Sequence, residues 1–78
     1  MIKEILETDQ NGNPTLTRTR ITITGSLNGD KEVLEHVGQE AWVYNQEALI
    51  WVVTDDNKQF ILLPYISSEK SGEYKIIE

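Results

Sequence analysis

Cysteine is absent from this 78-residue chain, and histidine occurs once. The first absence rules out disulfides, on which secreted domains of this size usually depend, and makes a cytoplasmic protein the expectation. No cysteine and a single histidine are too few for a zinc site, which needs clustered His or Cys. Lysine and arginine are also scarce, seven against thirteen acids, for a net charge of −6. Up to Asn28, Glu4, Glu7 and Asp9 balance Lys3, Arg18 and Arg20, whereas from Gly29 onward ten acids face four lysines. Nucleic acid and anionic membrane are both bound through positive charge, so neither is an expected partner. A basic protein partner is compatible with this charge, and ordinary solubility accounts for it as well.

No apolar run approaches the about 18 residues of a membrane span. "MIKEILETD" carries no signal-peptide core, and its starting Met again points to the cytoplasm. "NPT" at 13–15 is not a glycosylation acceptor, because Pro14 blocks it. A chain this short forms one domain, residues 1–78, and buries only about 60–65% of its unfolded surface. Its apolar fraction is low, 38%, but the apolar residues crowd into 41–66, as a core requires, so disorder is not expected.

The pattern that is present is β. "TLTRTRITIT" alternates with period two after the turn signal "QNGNP", and residues 2–26 read as a hairpin around Asn11-Gly12. Ile21 and Ile23 should face the core, with Arg18 and Arg20 left in solvent near Glu4 and Glu7. "LNGDKEVLEHVG" reads as a turn and a short helix, capped by Asp30, with Val33, Leu34 and Val37 as its apolar stripe and Gly38 as its stop. Three strands follow, "EAWVY", "ALIWVVT" and "QFILLPYI", linked by "NQE" and "DDNK", with Pro64 marking an edge or bend. A polar turn, "SSEKSG", leads to a last strand, "EYKIIE". Two successive strands apolar on both faces need cover on both sides. The expected fold is therefore mainly β: a small antiparallel, strongly bent sheet or a partly open barrel of SH3-like or OB-like size, with the barrel favoured and a sheet covered by the short helix as its competitor. It would have five to six strands and one short helix.

Catalytic chemistry finds little footing. "DQNGNPT" begins like a calcium loop but has Pro14 where the glycine belongs and Arg20 where the glutamate belongs. His36 reads as a half-exposed helix residue, and Asp55 and Asp56 as solvated turn formers. The glycines stand singly in turns and cradle no phosphate. No enzyme activity, cofactor or metal is expected.

Trp42 and Tyr44 share one face of their strand, and Ala41 and Val43 the other. Either the small residues line the interior and the rings lie outside, or the reverse. One tryptophan filling the core, with the other rings as half-buried covers, is the plainer arrangement. An exposed patch of Trp42 and Tyr44, rimmed by Glu40, Glu47, Asp55 and Asp56, would be a protein-binding surface. The leading expectation is thus a small acidic, non-catalytic interaction module that binds a protein partner or its own copy. The alternatives are an acidic inhibitor offering carboxylates in place of nucleic-acid phosphates to a basic enzyme, and a small-ligand-binding barrel.

Overall fold

In a computed structural model of the chain, which describes residues 1–26, 29–47, 49–62 and 72–78, the alternating Thr/Arg/Ile segment is the longest strand and the hub of the sheet. Strand β1 (Lys3–Thr8) turns into β2 (Pro14–Ile23), and β3 (Glu40–Gln46), β4 (Leu49–Thr54) and β5 (Gln59–Leu62) follow as a meander. Strand β6 (Tyr74–Ile76) returns to β2. All six belong to one antiparallel sheet, ordered β1-β2-β3-β4-β5 with β6 also on β2. The sheet does not close, so of the two expected architectures the small bent sheet is the one formed. Strand β2 shares one edge between two partners: residues 14–19 pair with β1 and residues 21–23 with β6. Arg20 is the junction, its N–H donating to the Ile2 carbonyl and its own carbonyl accepting from the N–H of Ile77.

Local chemistry explains the first hairpin. One oxygen of the Asp9 carboxylate accepts the backbone N–H groups of Asn11 and Asn13, each at 2.9 Å, and Gly12 takes a φ of 82°. The oxygen that began the apparent calcium loop is thus engaged in turning the chain. Past Ile5 the register of β1 slips twice, and Glu7 lands opposite Leu16, away from Arg20. Such bulges twist an edge strand and make it a poor template for further pairing.

Alternation then sorts the residues into two faces. One face carries Ile21, Ile23, Ala41, Val43, Val52 and Phe60, which with Val33 form the buried apolar core. Val33 comes from α1 (Lys31–Leu34), whose first turn is capped by the Asp30 carboxylate accepting from the Glu32 N–H at 2.9 Å. The expected stripe of Val33, Leu34 and Val37 is corrected: Leu34 and Val37 are 45% and 47% exposed. After two bonds of four-residue span the chain tightens, with His36 N–H donating to Val33 and Val37 N–H to Leu34. This tightening eclipses residues three apart, so His36 follows Val33 onto the sheet and Val37 turns outward. Gly38, at a φ of 91°, then reverses the chain as expected and donates to the Ile23 carbonyl. The expected β course of 63–66, the bend at Pro64 and most of the polar turn at 67–72 lie outside the described residues.

Candidate functional site: the outer sheet face

The opposite face of the sheet is built by register. Antiparallel pairing places Glu4, Arg18, Tyr44 and Trp51 in one row across β1, β2, β3 and β4. The neighbouring row is Arg20, Trp42 and Val53. The first row is in continuous contact. Arg18 donates to Glu4 through Nη2 at 2.9 Å and Nε at 3.2 Å, and through Nη1 to the Tyr44 hydroxyl at 3.3 Å. Tyr44 then stacks on Trp51, ring centroids 5.4 Å apart and planes 7° from parallel. The two rows interlock at Trp42, whose ring lies 4.1 Å from the Arg18 guanidinium carbon and 5.2 Å from that of Arg20. Cross-strand and cation–π contacts of this kind contribute about 0.2–1 kcal/mol each, so they order the face more than they stabilise the fold.

Of the two orientations open to the rings, the one observed has Ala41 and Val43 inside and Trp42 and Tyr44 outside. Trp51 joins them, half-buried like both, and the buried aromatic of the described core is Phe60. The plainer expectation, a tryptophan in the core, is therefore corrected. Of the two expected cross-strand pairs, Arg18 with Glu4 forms, but Arg20 meets Asp55 and Glu40 in place of Glu7 and is less open to solvent than expected. Arg20, its side chain 17% exposed, donates Nη1 and Nη2 to the two oxygens of Asp55 at 3.0 and 2.9 Å, with Glu40 3.9 Å away. Glu40 and Asp55 thus sit beside the aromatic rows, both near Arg20. Glu47 does not join them, since it occupies the turn at the other end of β3, with a φ of 55°. Asp56 is directed to the helix side of the sheet. Arg18, Arg20 and Trp51 are members of this face that were not expected there as site residues. Period two marks the arginines as outward, but only the register tells what they meet there.

The Arg20 guanidinium, by hydrogen-bonding the Asp55 carboxylate, holds it below its ordinary pKa of 3.8. Asp56 is lowered chiefly by the Thr54 hydroxyl, and Asp9 chiefly by the Asn13 N–H. A carboxylate whose folded value is depressed adds stability above its unfolded value and loses it as pH falls through the folded one. Stability should therefore hold near neutral pH and fall as pH drops below 3.8. In Asp55→Asn the same decline should be shallower. Urea midpoints measured along an acid series check this, and an unchanged slope in Asp55→Asn would refute the assignment.

His36 is not half-exposed but buried, 8% accessible, and packs edge-on against Phe60 at 5.5 Å. Its Nδ1 lies 2.8 Å from the Glu32 carbonyl, which can only accept, so Nδ1 carries the proton of that bond. Its Nε2 lies 3.6 Å from Asp56, which in turn accepts from the Thr54 hydroxyl. Glu32, Glu35, His36, Asp56 and Lys58 border an open depression of about 360 Å³. Among the described residues no group of three His, Asp or Glu could hold a metal ion. None of their helices is long and apolar enough to cross a membrane. The apolar pocket under the sheet, lined by Ile23, Val33, Val52, Phe60 and Tyr74 among others, measures about 10 Å³, room for about one water. No family model, curated protein or solved structure matches the chain.

Proposed function

We propose that the protein is a small, acidic, non-catalytic interaction module of the cytoplasm that binds a protein partner through its outer sheet face. The supporting observation is the interlocked array of Trp42, Tyr44, Trp51, Arg18 and Arg20 on that face. Trp, Tyr and Arg are the residue types that carry most binding energy at protein interfaces. They do so because they offer large contact areas with few rotors to freeze. Here the arginine–ring contacts have already limited those rotors, which lowers the ordering cost of association. Glu4, Glu40 and Asp55 supply the polar margin around the rings.

An acidic inhibitor of a basic enzyme is the second reading. Its support is the placement of Glu32, Glu35 and Asp56 along one open depression, away from the aromatic rows. The two readings separate in one experiment: capture from source lysate with the tagged protein and with Trp51→Glu, at low and high salt. A stoichiometric protein that survives high salt and is lost from Trp51→Glu supports the outer face. A protein lost at high salt and held equally by both baits at low salt supports the acidic surface instead. Equal retention by both baits at high salt refutes both readings.

A further inference from the structure

We infer that the outer sheet face is also a self-association surface, through which two copies form a weak two-fold dimer. This rests on the reading of that face as an interaction surface, and names a second copy as its occupant.

The charge distribution selects the occupant. Two identical chains of net charge −6 repel each other. The outer face holds both of the chain's arginines and Lys75 against Glu4, Glu7, Glu40 and Asp55, a nearly balanced set. Most of the acid excess therefore lies elsewhere, and this is a face on which like copies can meet without strong repulsion. The face is also self-complementary. A two-fold axis lying along β3 exchanges β2 with β4, because these are its neighbours on either side. Arg18 and Arg20 of one copy then lie over Trp51 and Val53 of the other, and the two Trp42 rings meet near the axis. Arginine over an indole face is a favourable pairing, and it recurs twice by symmetry.

Size and core point the same way. The chain has no cysteine and, among the described residues, no metal group and only seven buried apolar side chains. Domains of this length that lack such staples commonly gain stability by association. The available area sets the size class of the contact. Five strands about 4.8 Å apart and about seven residues long span roughly 24 by 23 Å. Two such faces bury somewhat less than the about 1,200–2,000 Å² of standard interfaces, the size class of weak, transient contacts.

Both tryptophans of the chain lie on this face, so the emission of the unaltered protein reports on it directly. Sedimentation velocity and tryptophan emission are followed together from about 1 μM to about 1 mM. The expected result is a monomer–dimer equilibrium with a blue shift that tracks the dimer fraction. Trp51→Glu should weaken the dimer more than about tenfold. Leu34→Glu, at an exposed helix position on the opposite side, should leave it unchanged. A monomer throughout, or a dimer whose formation leaves the emission unmoved, overturns the inference. So does a dimer lost in Leu34→Glu and kept in Trp51→Glu. If the protein is monomeric yet captures a partner in a Trp51-dependent way, self-association fails and the interaction module stands.

Discussion

Ile21→Ala should lose about 2–5 kcal/mol of stability, the range for emptying a buried aliphatic site. Ile21 is fully enclosed, at 0% exposure. It stands opposite Ala41 on β3 and Ile76 on β6, at the part of β2 that serves two partners. Its loss therefore opens a cavity where three strands meet. Ala41 is too small to fill that space, and backbone pairing holds β3 and β6 in place. For a domain of 78 residues the whole stability is only about 4–12 kcal/mol. The variant should thus sit near its folding limit at room temperature. Ile21→Val, which removes one methylene, should cost about 0.5–1.5 kcal/mol. Urea unfolding followed by circular dichroism measures both. A loss below about 1 kcal/mol for Ile21→Ala would mean that the core is looser than its burial implies.

His36→Ala should cost about 2–4 kcal/mol, more than its place beside a surface helix suggests. Helix α1 has four residues and no stability of its own. What fastens it to the sheet is Val33 and the His36 ring on Phe60. The ring has a second task. Because the chain tightens after α1, the His36 N–H goes to Val33, and the Glu32 carbonyl accepts from His36 Nδ1 instead. His36→Phe separates the two roles, since it keeps a ring against Phe60 but leaves that carbonyl covered and unpaired. It should cost about 1–3 kcal/mol, between wild type and His36→Ala. Dye binding and amide exchange over 31–38 should both rise in His36→Ala as the helix lifts and Phe60 is uncovered. Equal stability of all three proteins would show that the helix is held by Val33 alone.

Much of this fold was legible because its rules are local. Asp9 and Gly12 shape their turn through bonds that span four residues or fewer. Asp30 caps the helix through the N–H two residues on, and Gly38 reverses the chain after it by its own φ. The alternation of 15–23 announces a strand whichever neighbours it finds. The aromatic site was legible only in part. Trp42 and Tyr44 are on one face by alternation alone, and Glu40 follows from the same count. Asp55 reaches Arg20 across 35 positions of sequence, a meeting that depends on how three strands are aligned.

Composition and local pattern decided the class of molecule: a cysteine-free, acidic, mainly β domain with one capped helical turn. Register, a tertiary property, decided the site. A three-residue link at 45–47 would set Tyr44 opposite Ala48 and Trp51 opposite Ala41, sending the Trp51 ring toward the core. Strand β3 instead runs on to Gln46, which pairs with Leu49, and Trp51 falls opposite Tyr44. Side chains alternate with period two, so this slip moves every side chain of β4 to the other face. It puts Val52 in the core and completes the row of Arg18, Tyr44 and Trp51 outside. The physical reason is cooperative burial: one alignment covers Ile21, Val43, Val52 and Phe60 together, and no short stretch of sequence contains that sum.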